Sequence, residues 1–161
     1  MTHAVFPAGI PTHTLHPGDV RCALRGERLV TLLGSCVAVV LTDPRRTVGA
    51  MCHIVHAPGG DLTRRGSSAA WGDLALETMQ RQLLGRGIQP RMCEAYVFGG
   101  GNMFPQLYEG PHVGQGNAAW TLGALAGAGI RVISQDLGGA AYRRLSWTVG
   151  PEAPVVEAIP I

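Results

Sequence analysis

The clearest hairpin pattern in the chain lies in residues 31–58, which read TLLGSCVAVVLTDPRRTVGAMCHIVHAP. An apolar stretch rich in β-branched residues, interrupted by a bend at Gly34-Ser35, leads into residues 43–46. The DPRR sequence of that segment is typical of a turn, because Asp opens turns and Pro suits the second position. Residues 47–56 then read as the returning strand.

The register of this hairpin brings one cysteine and one histidine together. If Thr42 and Thr47 close a four-residue loop, Cys36 lies directly opposite His53. Directly opposed Cβ atoms in an antiparallel pair are about 4.5–5.5 Å apart, so sulfur and imidazole would meet on one face of the sheet. Cys52 would then point to the opposite face and act as a packing residue.

Two alternatives to this pairing remain open. A loop that is one residue longer or shorter would turn one strand over and separate the pair. The segment from Gly34 to Cys36 could instead begin a helix, whose N-terminus would also stabilise a thiolate. Most cysteines are inert small hydrophobes, and Cys22, Cys52 and Cys93 are interpreted in that way. Cys36 follows a bend whose backbone N–H groups can point outward, as an oxyanion hole requires. The residues alone therefore favour neither a nucleophilic nor a packing role for Cys36.

The composition is typical of one folded domain. Of the 161 residues, 46% are hydrophobic and 15% are charged, and we predict a single domain over residues 1–161. The 23 glycines and 11 prolines favour many turns and short strands over a bundle of long helices. All 13 basic residues are arginine, which excludes lysine chemistry such as a Schiff base. The formal charge of +2 indicates no nucleic-acid partner.

The sequence favours a cytoplasmic protein without direct membrane insertion. No apolar run approaches the roughly 20 residues that a membrane helix needs. The first residues lack the pattern of a signal peptide. The 4 cysteines are scattered without a CxxC pair, which suits free thiols in a reducing compartment.

Two helices and several further strands are predicted outside the hairpin. Residues 1–20 are expected to form an N-terminal arm or edge segment. The spacing of apolar residues predicts a helix over 68–84 with Ser67 or Ser68 as its cap, and a second helix over 117–128 with Asn117 as its cap. The other predicted strands are residues 93–98, 130–133, 144–149 and 155–159, and Gly138-Gly139 is predicted to be a turn.

A zinc site and a phosphate-binding loop are both disfavoured. Cys52, His53 and His56 lie close in the sequence, with His112 as a fourth candidate, but neighbouring strand residues point to opposite faces. The FGGGN segment at 98–102 follows a strand, as a phosphate loop does, but it lacks the Gly-Lys-Ser/Thr ending. We therefore expect no metal and no cofactor.

These residues resemble the CheD family, the chemoreceptor glutamine deamidases of bacterial chemotaxis. The most specific feature is the Gly-Ser-Cys block with His53 seventeen residues after Cys36. Further blocks agree in order over nearly the whole chain: the helix at 68–84, FGGGNMF at 98–104, HVGQGN at 112–117, and ISQDLGG at 133–139 with arginines after it. The family often has an arginine where Gly116 stands, a departure that concerns receptor contacts and not the proposed chemistry.

The resemblance implies both a fold and a catalytic set. It implies an α+β fold with α/β/β layers, mainly antiparallel or mixed sheets and two principal helices, related to bacterial toxin deamidases. It implies that Cys36, His53 and Thr31 are the catalytic residues. The implied substrates are specific glutamines on the cytoplasmic helical bundle of methyl-accepting chemotaxis receptors, and some members also bind the phosphatase CheC.

The mechanism expected from this resemblance is a cysteine-dependent amide hydrolysis. Cys36 would attack the glutamine carboxamide and form a thioester, with His53 moving the proton and Thr31 orienting its ring. Backbone amides near Gly34 and Ser35 would stabilise the oxyanion. The resemblance favours Gly99, Gly100, Asn102 and Asn117 as residues at the rim of the cleft, whereas the residues alone favour a simple turn at the glycines and a helix cap at Asn117. The alternative is a non-catalytic chemotaxis adaptor that binds receptors or CheC.

Overall fold

A computed structural model describes residues 9–58, 67–107 and 110–161. Within these ranges the chain forms nine strands, two α-helices and a short 3₁₀ helix at Pro90–Met92. The strands are β1 (Thr12–Thr14), β2 (Val20–Leu24), β3 (Arg28–Leu33), β4 (Val37–Thr42), β5 (Val48–Ile54), β6 (Glu94–Gly99), β7 (Arg131–Leu137), β8 (Ala141–Thr148) and β9 (Val155–Pro160). The helices are α1 (Gly72–Leu84) and α2 (Val113–Gly127).

The strands form two sheets that stack beneath a layer of helices. One sheet has the order β1-β3-β8-β9, and the other has the order β2-β5-β4-β6-β7. The β1-β3 and β6-β7 pairs are parallel, and the other pairs are antiparallel. Both helices contact the five-stranded sheet. The predicted α/β/β layering with mixed, mainly antiparallel sheets is therefore confirmed, whereas the relation to toxin deamidases stays a prediction.

Two apolar cores hold these layers together. One core lies between the helices and the five-stranded sheet and includes Val39, Cys52 and Leu83. The second core lies between the two sheets and includes Leu33 and Trp147. Every residue of β4 and β5 is buried, because these central strands are covered on both faces. That position explains why the sequence there is almost continuously apolar and does not alternate.

The register predicted for the β4–β5 hairpin is wrong by two residues. Thr42 pairs with Gly49, and Ala38 pairs with His53. The connection is longer than four residues because the Asp43 carboxylate accepts hydrogen bonds from the N–H groups of Thr47 (2.8 Å) and Val48 (3.0 Å). Because side chains alternate with a period of two, a shift of two residues leaves every side chain on its predicted face.

Among the described residues, the segment predicted as an N-terminal arm or edge segment forms strands at the edges of the two sheets. Residues 9–20 lead through β1, which pairs with β3, into β2 at the edge of the five-stranded sheet, and residues 1–8 lie outside the described residues. Both strands are short and mostly half-exposed. Their sequences therefore lack the apolar alternation that predicts a strand.

The predicted N-terminal ends of both helices are also wrong. Helix α1 begins after Trp71, and Ser68 forms a local turn in which its hydroxyl accepts a hydrogen bond from Ala70 N–H (3.1 Å). Helix α2 begins four residues earlier than predicted, with His112 as its N-cap, so Asn117 lies inside the helix. No helix among the described residues is long and apolar enough to cross a membrane.

Candidate active site

The bend at Gly34-Ser35-Cys36 is the point at which the chain crosses from one sheet to the other. It joins β3 of the four-stranded sheet to β4 of the five-stranded sheet. The Cys36 side chain packs against the core between the sheets, yet the residue is only half-buried. Cys36 therefore contacts the core between the sheets without being fully buried in it.

Hydrogen bonds to three consecutive carbonyl groups hold this bend. Gly101 N–H donates to the Gly34 carbonyl (3.0 Å) and Gly100 N–H donates to the Cys36 carbonyl (2.9 Å). The Asn117 side-chain amide donates to the Ser35 carbonyl (3.1 Å). Among the described residues, the N–H groups of Ser35 and Cys36 donate to no protein acceptor. The bend is thus anchored through its carbonyl oxygens.

The glycine turn after β6 supports the bend from behind. Gly99 has a φ of +112°, and a Cβ on it would collide with the Cys36 carbonyl oxygen. A Cβ on Gly114, in the first turn of α2, would collide with the carbonyl oxygens of Gly100 and Gly101. Only glycine permits this close stacking of bend, turn and helix start.

His53 is buried opposite Thr31, across the gap between the sheets. Its Nδ1 lies 2.8 Å from the Thr31 hydroxyl oxygen, and the two residues are 2% and 4% exposed. Thr31 belongs to β3 and His53 to β5, so this hydrogen bond joins the two sheets. The backbone of His53 is held as well: its N–H donates to the Asp19 carbonyl (3.1 Å), and its carbonyl accepts from Gly18 N–H (2.9 Å).

The Thr31 hydroxyl selects the tautomer of the imidazole. It donates its proton to the Leu15 carbonyl at 2.8 Å, so towards His53 its oxygen can act only as an acceptor. Nδ1 of His53 therefore carries a proton, and in the neutral ring Nε2 does not. In the described part of the chain this Nε2 is buried and has no hydrogen-bond partner. The ring thus presents an unprotonated nitrogen inside the protein.

Burial favours the neutral forms of the Cys36 thiol and the His53 imidazole. Desolvation lowers the pKa of His53 from 6.5 to about 4, with Asp19 opposing this fall and His16 adding to it. Desolvation also raises the pKa of the Cys36 thiol. The resting forms of the two side chains are therefore a neutral thiol and a neutral imidazole, not a thiolate and an imidazolium.

The other cysteines have no comparable setting. Burial raises the pKa of Cys52 to about 12 and that of Cys93 to about 11. Both belong to the core beneath the helices, and Cys22 packs against it. They behave as packing residues.

Two of the predicted rim residues line a groove and two support the bend. Gly100 and Asn102 line a groove of about 690 Å³ together with His112. Gly99 lies against the Cys36 backbone. Asn117 is 3% exposed and points into the protein, so it does not lie on the rim.

The disfavoured alternatives find no support in this geometry. Cys52 faces the core beneath the helices whereas His53 faces the space between the sheets, and the described residues contain no metal-sized group of three His, Cys, Asp or Glu side chains. The His56 ring packs against Trp71, with 4.7 Å between ring centroids. The N–H groups of Gly100 and Gly101 donate to protein carbonyls, so the glycine turn is not arranged as a phosphate cradle.

Two contributions to this site escape sequence reasoning. The Leu15 and Asp19 carbonyl groups reach the site from a segment distant in the sequence, and backbone groups carry no residue-type signal. Asn117 was expected near the site, but its role there is to hold the bend and not to line the rim.

Comparisons with known proteins identify the family of this chain. The family model described as CheD chemotactic sensory transduction matches residues 58–152. A probable chemoreceptor glutamine deamidase CheD of Pseudomonas savastanoi pv. phaseolicola is 34% identical over 86% of this chain and 80% of its own length. A probable chemoreceptor glutamine deamidase CheD 2 of Albidiferax ferrireducens is 38% identical over 84% of this chain and 80% of its own. A third relative, from Caulobacter vibrioides, is 36% identical over 74% of this chain and 62% of its own. The chain belongs to the CheD family.

Proposed function

We propose that this protein is a chemoreceptor glutamine deamidase in which Cys36 is the nucleophile, His53 the acid/base and Thr31 its orienting partner. The observation that carries the proposal is the Thr31–His53 hydrogen bond of 2.8 Å. It leaves an unprotonated Nε2 in the same space between the sheets against which Cys36 packs. The relatives that match most of the chain are named as probable chemoreceptor glutamine deamidases.

The first step is attack on the carboxamide carbon of a glutamine side chain. The Cys36 thiol gives its proton to Nε2 of His53 as its sulfur bonds to that carbon, because the thiol does not ionise readily at its raised pKa. The amide oxygen becomes an oxyanion. The free N–H groups of Ser35 and Cys36 supply the two donors that stabilise it.

The second step releases ammonia and leaves a thioester. His53, now protonated, gives its proton to the departing nitrogen. Because burial lowers the pKa of His53 from 6.5 to about 4, its imidazolium is more acidic than an ordinary one and gives up this proton more readily. A water molecule, deprotonated by the neutral His53, then attacks the thioester carbon. The C–S bond breaks, the thiol is restored and the side chain is released as glutamate.

The reaction adds negative charge to the receptor. A neutral amide becomes a carboxylate at neutral pH, which changes the charge of the receptor surface and supplies a carboxylate that can be methylated. We place the reaction in the cytoplasm, on the cytoplasmic helical bundle of the receptors. Binding of the phosphatase CheC, implied by the family resemblance, is part of the same proposal and can be checked by co-purification.

Deamidation can be measured directly on receptor fragments. Cytoplasmic fragments of the organism's own chemoreceptors are incubated with the protein, and glutamine-to-glutamate conversion is mapped by peptide mass spectrometry. The wild type is expected to convert specific glutamines, and Cys36→Ser to convert none. Cys22→Ser is the matched control, because Cys22 is also half-buried but lies on β2.

The same measurement tests the adaptor alternative. Undiminished conversion by Cys36→Ser would remove the nucleophile from the mechanism. Absence of conversion by the wild type across all cognate receptors, together with binding to them, would favour an adaptor.

A further inference from the structure

Asn117 ties the segment that carries the proposed nucleophile to the segment that carries the proposed base. Its Nδ2 group donates to the Ser35 carbonyl (3.1 Å) and to the Val55 carbonyl (3.0 Å). Its Oδ1 accepts from Ala57 N–H (2.9 Å). Ser35 lies next to Cys36, and Val55 follows the end of the strand that carries His53. One buried side chain in α2 therefore spans both parts of the site.

These three bonds determine the orientation of the amide group. An amide has two N–H donors and one carbonyl acceptor site on opposite sides. Two carbonyl oxygens face one side of the Asn117 amide and one N–H faces the other, so the flipped orientation would place oxygen against oxygen. Aspartate would meet the same repulsion. Asparagine is the residue type that satisfies all three partners at this position.

The bond to Ser35 has a consequence for the neighbouring peptide N–H. The carbonyl of Ser35 and the N–H of Cys36 belong to one planar trans peptide group, so they point in opposite directions. Anchoring the carbonyl to Asn117 therefore aims the Cys36 N–H away from α2. This N–H is one of the two groups assigned above to the oxyanion.

We infer that Asn117 is a positioning residue that aims the Cys36 N–H at the oxyanion of the deamidation reaction. The inference rests on the proposed function and adds to it a residue that touches neither substrate nor sulfur. Its bonds to Val55 and Ala57 keep the end of the His53 strand in register with the bend. The side chain thus acts through the direction of one backbone N–H group.

Two variants and one matched control test this role. Asn117→Asp keeps the shape of the side chain but loses both donors, and Asn117→Ser is too short to reach three partners. Thr121→Val is the control, since Thr121 is buried in the same helix and its hydroxyl donates only to the Asn117 backbone carbonyl (2.8 Å). The control loses one buried hydrogen bond in the same helix and leaves the three side-chain bonds of Asn117 in place.

Three measurements separate positioning from a merely structural role. Per folded molecule, both Asn117 variants are expected to lower kcat by about 10–100-fold, the range for a misaligned group or a lost oxyanion donor, while KM changes by less than about twofold. Alkylation of Cys36 by iodoacetamide needs no oxyanion donor, so its rate is expected to stay within about threefold of wild type. The amide NMR resonance of Cys36 is expected to shift in both variants and to stay in place in Thr121→Val.

The outcomes distinguish this inference from the proposed function. A wild-type kcat in the folded fraction of either Asn117 variant, or an unmoved Cys36 amide resonance in both, would overturn the positioning role. If the wild type converts no receptor glutamine, the proposed function fails. The Cys36 amide resonance then still tests the role of Asn117: a shift in both variants supports orientation of the bend by Asn117, and an unmoved resonance contradicts it. An equal loss of kcat in Thr121→Val would show that general destabilisation is the cause.

Discussion

Replacing His53 by glutamine should remove a large part of the pH dependence of stability. His53 is buried and its pKa falls from 6.5 to about 4 on folding, chiefly through desolvation. Protonation therefore favours the unfolded chain. The stabilising effect of the neutral ring is complete above pH 6.5 and is lost as the pH falls towards and through 4.

The size of this effect follows from the two pKa values. The unfolded chain takes up the proton near pH 6.5 and the folded protein only near pH 4. Because each pKa unit corresponds to about 1.4 kcal/mol, His53 should lower the free energy of unfolding by about 2 kcal/mol between pH 7 and 5. By pH 4 the loss should reach about 3 kcal/mol.

Urea unfolding at pH 7, 5 and 4 measures this difference. Wild type, His53→Gln and the control His56→Gln are compared, because His56 is exposed and lies just beyond the same strand. Carboxylates titrate in the same way in all three proteins, so the difference between the curves isolates His53. Between pH 7 and 5, the free energy of unfolding of His53→Gln is expected to fall by about 2 kcal/mol less than that of the wild type. That of His56→Gln should fall as the wild type's does.

Parallel pH curves for wild type and His53→Gln would refute this reasoning. They would mean that the imidazole is hydrated in the folded protein or is protonated there at neutral pH. The resting state would then be closer to a thiolate–imidazolium pair, and the first step would not require His53 to take a proton from a neutral thiol. With a His53 pKa of about 4, by contrast, the imidazole stays largely neutral between pH 5 and 7. The deamidase activity of the wild type should then be nearly independent of pH over that range.

Three further predictions concern the support of the site and the stability of the fold. Thr31→Val should lower kcat for deamidation by about 10–100-fold, because it removes the group that selects the His53 tautomer, whereas Thr31→Ser should keep most of the activity. Gly114→Ala should destabilise the protein by about 1–3 kcal/mol, because its new methyl group would overlap the glycine turn. Gly116→Ala lies in the same helix but meets open space, so it should stabilise the protein by about 0.5–1 kcal/mol. Urea unfolding measures both changes. Asp43→Asn should lower the free energy of unfolding by about 1–3 kcal/mol, because the carboxylate accepts two backbone N–H bonds and one hydroxyl bond in a buried turn. An unchanged midpoint of urea unfolding would count against that role.

Local patterns in the sequence were sufficient for the elements that depend on neighbouring residues. Apolar runs bounded by turn residues predicted β4 and β5, and the Gly34-Ser35 bend between β3 and β4 was visible as a break in such a run. Helix α1 ends at the predicted Leu84 and is followed by Gly85, whose backbone is still right-handed (φ −62°), and the predicted turn at Gly138-Gly139 contains two glycines with positive φ. These features are determined by backbone freedom and side-chain periodicity within a few residues of each position.

The shared face of Cys36 and His53 was determined by the sequence even though the register was not. The predicted loop was too short, because the hydrogen bonds of Asp43 to the following strand extend the connection. Strand side chains alternate with a period of two, so an error of two residues changes the partner and not the face. An error of one residue would have separated the two side chains.

Contacts between the layers were decided only by the tertiary structure. The Thr31–His53 bond crosses from one sheet to the other, the Leu15 carbonyl sets the direction of the Thr31 hydroxyl, and Asn117 reaches the bend from a helix. Each depends on how whole layers stack, and stacking follows from the fit of two apolar cores and not from any local pattern. The residue types available for the chemistry are local information, whereas the packing of the layers determines which nitrogen of His53 is unprotonated and where the N–H groups of the bend point.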